Sequence, residues 1–201
     1  ELGDTARLLS ARVRLALDYL ELADFASYEE LASSYETLAR QVGPNAEPWR
    51  VPLMRSMLAL RLDRFDESVR RQEESRRIDS ESPRAKRAQA FHRICFFRAA
   101  ERHAELRASI PELRNLWLTM PYGVVLAEPR VASVLARLGA DEELQDLLSG
   151  LSEPAWREEI NHPYLSEAVW ATGDRTRAEQ AVRHPAGGAH AFIHDADADA
   201  G

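Results

Sequence analysis

A single cysteine, Cys95, stands among 201 residues, which excludes an internal disulfide and any zinc site built on several thiolates, and fits a reducing cytoplasm. No run of eighteen uncharged apolar residues occurs, so no segment is suited to crossing a bilayer and a soluble chain is expected. The first 25 residues carry Asp4, Arg7, Arg12, Arg14 and Asp18, where a secretory signal would need an unbroken apolar stretch. Lysine is nearly missing, Lys86 being the only one; this preference for arginine reads as compositional bias and not as a binding signal.

The motifs of common chemistries are missing too. Lys86 follows Ala85, so there is no Gly-x-x-x-x-Gly-Lys phosphate loop. No Gly-x-Ser-x-Gly elbow, His-Glu-x-x-His helix or calcium loop occurs. The pairs Glu29-Glu30, Glu73-Glu74, Glu142-Glu143 and Glu158-Glu159 occupy adjacent helix positions about 100° apart, which suits a solvated face and not an acid-base pair. His92 and Cys95 are three apart and could meet on one helix face, but Phe91, Phe96 and Phe97 around them mark a packed apolar surface. His92 and His103 read as packed or surface histidines, and His162 precedes Pro163 at a helix break. His190 and His194, followed by Asp195 and Asp197, could chelate a divalent ion only if that tail were helical, and no further His or Cys completes the set. We therefore expect no enzyme, no cofactor and no metal.

The net charge is −7, which disfavours a phosphate polymer as partner. Residues 64 to 107 hold twelve basic against eight acidic side chains, but Glu73, Glu74, Asp79 and Glu81 interrupt the arginines. Arg70 with Glu74, and Glu73 with Arg77, are spaced as intrahelical pairs, so nucleic acid is not the expected partner.

Helical periodicity runs through nearly the whole chain, for example Leu31, Tyr35, Leu38, Ala39 and Val42, then Val131, Val134, Leu135 and Leu138. Strand-like alternation does not occur, and Val124-Val125-Leu126 is too short to start a sheet. Ser27 with Glu30 and Ser109 with Glu112 are spaced as capping boxes. Ser82-Pro83 places a capping hydroxyl before a proline at the first helical position, and Asp66, Asp141 and Asp174 are further cap candidates. Together these predict helices over 5–22, 27–42, 49–62, 66–78, 83–101, 103–119, 129–138, 142–150, 154–171 with a break near Pro163, and 175–183.

The turns repeat. Leu22-Ala23-Asp24-Phe25, Leu62-Asp63-Arg64-Phe65, Ala100-Glu101-Arg102-His103, Leu138-Gly139-Ala140-Asp141 and Thr172-Gly173-Asp174-Arg175 succeed one another at 40, 38, 38 and 34 residues. Two helices per such period is the signature of an α-solenoid. The expectation is an all-α chain of about five helix-turn-helix pairs over residues 1–183, with a flexible Gly/Ala/Asp-rich tail over 184–201.

Leu58-Ala-Leu-Arg-Leu-Asp-Arg-Phe-Asp-Glu-Ser-Val69 resembles the turn of a tetratricopeptide repeat, whose usual form is apolar-Gly-polar-aromatic-x-x-Ala. Thr172-Gly-Asp-Arg-Thr-Arg-Ala178 keeps the Gly, Asp and Ala of that pattern. Residues 15–25, 49–69 and 130–151 are similar to the helical repeat regions of large bacterial signalling ATPases, including MalT-like and LuxR-like transcriptional regulators and ATPases joined to adenylate cyclase domains. Ala23, Asp63 and Glu101 depart from the usual glycine, and Tyr28, Ser68, Leu106 and Leu144 from the usual alanine. The resemblance implies a region that senses a ligand or protein and relays the event to an effector domain or to neighbouring domains of one chain.

On that alignment the first helix of each pair lines a groove, which makes Arg50, Met57, Phe91, Arg98, Arg137 and Trp170 the candidate partner-binding residues: apolar anchors among guanidinium forks suited to carboxylates. The competing expectation for Met57, Phe91 and Trp170 is plain core. The function expected is a protein-interaction or regulatory module. The alternative is a small-molecule sensor with a closed pocket on the solenoid's inner face.

Overall fold

The computed structural model describes residues 2–43, 46–118, 123–158, 161–174 and 176. Among them every regular element is a helix, and no strand occurs. In chain order they are α1 (Leu2–Glu21), α2 (Phe25–Val42), α3 (Arg50–Arg61), α4 (Phe65–Ile78), α5 (Pro83–Ala99), α6 (His103–Ala108), α7 (Ile110–Leu118), α8 (Gly123–Arg137), α9 (Asp141–Gly150), α10 (Glu153–Arg157) and α11 (His162–Thr172). The expected helix over 175–183 and the tail over 184–201 lie, apart from Thr176, outside the described residues. The chain divides into two compact units whose boundary falls between Phe96 and Phe97, inside α5.

The five aligned turns each place one residue in the left-handed region. Ala23, Asp63, Glu101, Gly139 and Gly173 all take left-handed φ values, of 57°, 54°, 53°, 62° and 67°. In the first four, the next N–H donates back to the carbonyl five residues earlier: Asp24 to Tyr19 at 2.9 Å, Arg64 to Ala59 at 2.8 Å, Arg102 to Phe97 at 2.9 Å, Ala140 to Leu135 at 3.1 Å. This is the Schellman closure, which satisfies carbonyls that a helix end otherwise leaves open. The same residue accepts the first hydrogen bond of the following helix, from Tyr28, Ser68, Leu106 and Leu144 respectively, and each of those four side chains is 0 % exposed. Left-handed geometry costs a non-glycine residue about 1–2 kcal/mol; in the first three turns the closure and the buried side chain below it offset that strain.

In the first unit α1 and α2 pack through two clusters. One gathers Leu9, Val13, Tyr35 and Ala39 with Ala46 and Val51, and the other Ala16, Leu20, Tyr28, Ala32 and Met54. Both α2 tyrosines bury their rings and donate to backbone beyond: Tyr28 to the Met54 carbonyl at 2.9 Å, Tyr35 to that of Ala46 at 2.8 Å. Helix α4 is held differently. Its buried residues are Ser68 and Ser75. Ser56 on α3 donates to the Ser68 carbonyl at 2.6 Å, Ser75 donates to the Trp49 carbonyl at 2.9 Å, and Gln89 on α5 donates to Ser75 at 3.1 Å. These hydroxyls and an amide join α3, α4 and α5 beside an apolar cluster of Trp49, Leu53, Ala85 and Ala88 and the edge-on contact of Phe65 with Phe96.

In the second unit α8 is the centre, packed by α7, α9 and α11. Its interior proline corrects the expected start at residue 129: α8 begins at Gly123 and runs through Pro129. Pro129 has no N–H for the Val125 carbonyl. Asn161 replaces it, donating to that carbonyl at 3.0 Å and to the Ala155 carbonyl at 3.0 Å. At the start of α8 the backbone approaches α7 so closely that a Cβ on Gly123 would sit 1.8 Å from the Trp117 carbonyl oxygen.

Other boundaries also differ from expectation. The segment over 103–119 is two helices, since Pro111 cannot donate to the preceding turn and Ser109 turns its hydroxyl onto the Leu106 carbonyl at 2.6 Å instead of opening a capping box. The segment over 154–171 breaks near Pro163 as expected, into α10 and α11, with Pro163 in the first turn of α11. Helix α2 is capped by Asp24, which accepts from the Ser27 N–H at 3.1 Å and its hydroxyl at 2.7 Å, so Ser27 lies inside the helix. Asp66 and Asp141 also lie inside their helices, after Arg64 and Ala140. The Ser82 cap forms as expected, accepting from the Ala85 N–H at 3.2 Å.

Candidate functional site

Helix phase places Ser133 and Arg137 one turn apart on α8, and Glu167 and Trp170 one turn apart on α11. The last turn of α5 brings Arg98 to both. Its guanidinium donates to Ser133 at 2.9 Å and to the two Glu167 carboxylate oxygens at 2.7 and 2.8 Å, and Ser133 in turn donates to Glu167. Ser133 is fully buried, while the Arg98 and Glu167 side chains are 19 % and 32 % exposed. Helices α5, α8 and α11 are thereby joined by one charge-assisted set. Arg137 is exposed, and Trp170 is 86 % exposed, far more than a packed tryptophan needs.

The other candidates sit in the first unit and do not gather into a site. Arg50 is 7 % exposed, bonded to Glu47 at 2.6 Å and stacked on the Trp49 ring at 4.7 Å. Met57 packs against the cluster around Tyr28 and Met54. Phe91 is half-buried on α5. Arg50 and Met57 therefore serve packing, and of the six residues only Arg98, Arg137 and Trp170 lie about the Ser133–Glu167 contact.

One buried charged group escapes sequence reasoning, and a buried histidine is packed as expected. Arg130 is 2 % exposed, with its guanidinium between Trp117 at 4.4 Å and Tyr164 at 4.6 Å and bonded to Leu126 O at 2.6 Å and Asn161 Oδ1 at 3.1 Å. Its neighbours at three and four residues, Leu126, Ala127, Ser133 and Val134, carry no charge, which is the local signal of a buried arginine. His92 is 2 % exposed, and neither ring nitrogen makes a hydrogen bond, so it is not paired with Cys95. Burial holds it well below the usual histidine range, at about 4, against a weaker opposing pull from the Ser56 carbonyl.

Two surface concavities mix charged and apolar walls. One of about 450 Å³ lies among Arg114, Glu128, Glu143 and Asp146, with Arg114 held by Glu128 at 3.1 and 3.0 Å. The other, about 400 Å³, lies beside Arg55, Arg64 and Glu67. Burial alone would lower the Arg55 pKa, but hydrogen bonds and charge from Glu29 and Glu36 outweigh it and raise it. Among the described residues no three His, Cys, Asp or Glu side chains gather as a metal site would, and no helix is long and apolar enough to cross a membrane. His190, His194, Asp195 and Asp197 lie outside the described residues. Comparison with protein-family models, curated proteins and solved structures gives no match.

Proposed function

We propose that this chain is a tetratricopeptide-like α-solenoid acting as a protein-interaction or regulatory module within a larger cytoplasmic bacterial signalling or transcription-regulating protein, without catalytic activity of its own. The observation that carries the reading is the turn shared by Ala23, Asp63, Glu101, Gly139 and Gly173. A chain that closes successive helix pairs in the same way at a near-constant interval stacks like units, and stacking leaves the first helices along one side. The partner-binding face is assigned to α5, α8 and α11, where Trp170 supplies an exposed aromatic anchor and Arg137 an exposed guanidinium. The partner is a peptide or helix with an apolar residue for Trp170 and a carboxylate for Arg137.

The test is photo-crosslinking from position 170 in cells, followed by titration of the captured partner. Trp170→Ala should weaken its binding by about 30-fold or more, as loss of a hot-spot tryptophan does, and Arg137→Glu should weaken it further. Unchanged affinity in both variants would remove this face from the proposal.

A further inference from the structure

Helix α1 has a second apolar face that its own unit leaves uncovered. Leu9, Val13, Ala16 and Leu20 are buried against α2 and α3, yet Leu8 and Leu15 on α1 and Leu22 in the turn just after it, spaced by seven, are 45 %, 44 % and 77 % exposed. A stripe repeating every seven residues is the geometry by which one helix lies along another at a shallow angle.

Charge indicates which helix. Within α1 the charged side chains before Leu15 are Asp4, Arg7, Arg12 and Arg14, and those after it are Asp18 and Glu21, with Asp24 in the turn that follows. Arg7 and Arg14 are exposed beside the leucines, and Arg12 spends one donor on the Ser34 carbonyl at 2.9 Å. The helix thus carries net positive charge before Leu15 and net negative charge after it. A second copy laid antiparallel, with Leu15 on Leu15, sets each basic half against an acidic half and Leu8 against Leu22. A parallel copy sets like charge on like.

We propose that α1 is a self-association surface through which two copies of this chain pair antiparallel along Leu8, Leu15 and Leu22, beyond and independent of partner binding by α5, α8 and α11. The seam is short and buries less than the roughly 1,200 Å² of a stable interface, so the pairing is weak and depends on concentration.

Sedimentation from about 1 to about 300 μM should show the mass rising from 22.7 kDa toward twice that value. Leu15→Glu should raise the dissociation constant by at least about 30-fold with an unchanged helical spectrum. Direction is read by oxidation in a Cys95→Ser background: Leu8→Cys mixed with Leu22→Cys should link, and Leu8→Cys alone should not. A monomer at every concentration, a Leu15→Glu variant that still dimerises, or Leu8→Cys linking to itself would each overturn the proposal, and the first two would leave the stripe to another helix pair or a different protein.

Discussion

Acid should weaken the first unit through His92, by an amount set by its burial. Unfolded, the imidazole titrates near 6.5; folded, it titrates at about 4, because burial disfavours the cation. Above the unfolded value both states are neutral and His92 contributes no pH dependence. As the pH falls from 6.5 toward 4, the unfolded chain takes up a proton that the folded chain refuses, so stability is lost across that window and levels off below it. Each pKa unit is worth about 1.36 kcal/mol, so the full loss is roughly 3 kcal/mol, a large part of the 5–15 kcal/mol that holds a typical domain. Urea unfolding followed by circular dichroism between pH 7.5 and 4, in the wild type and in His92→Gln, measures it. Asp24, Asp79, Glu81 and Glu105 have lowered values, each led by a side-chain hydrogen bond; their acid destabilisation is common to both proteins and cancels in the difference. The difference should shrink by roughly 3 kcal/mol as the pH falls. Parallel curves would refute the assignment of His92 as a buried neutral base.

The repair of Pro129 should appear as coupling. Asn161→Leu leaves the Val125 and Ala155 carbonyls without their donor and should cost about 2–3 kcal/mol, and part of that loss should vanish in a Pro129→Ala background, which restores an N–H for Val125; additive effects in urea unfolding would sink the account. The turns offer a pair of opposite tests. At Gly139 no atom lies within 4 Å of where a Cβ would stand, so Gly139→Ala should destabilise by about 1 kcal/mol through backbone strain alone, while Ala23→Gly should stabilise by roughly 0.5–1 kcal/mol; equal signs in thermal melts would contradict it.

The turn alignment is legible because each of its features is local: an apolar run, a left-handed position, and a side chain five residues on that must go inside. Even Glu101, a poor residue for that torsion, falls into place by spacing. The interior of α8 is not legible, because a proline reads as punctuation until one knows that Asn161, far along the chain, supplies the missing donor. Pro111 is hidden within 103–119 for the opposite reason, that a strong apolar period outweighs it. Among the candidate residues, phase identifies those that share a helix face but not which face is covered. Arg50 and Met57 turn inward, whereas Arg98 finds Glu167 through tertiary packing that no window of sequence contains. Arg130 carries a readable sign, uncharged neighbours on every adjoining turn, that only its burial makes plain.

The shared turn has a consequence for how such a chain diverges. Where a corner is fixed by torsion and closure instead of by glycine, the letter at that corner is free to vary, as alanine, aspartate and glutamate do here. A comparison that reads letters then loses the period, while the backbone keeps it. Kinship among chains of this kind is better sought in the rhythm of dihedral angles than in residue identity.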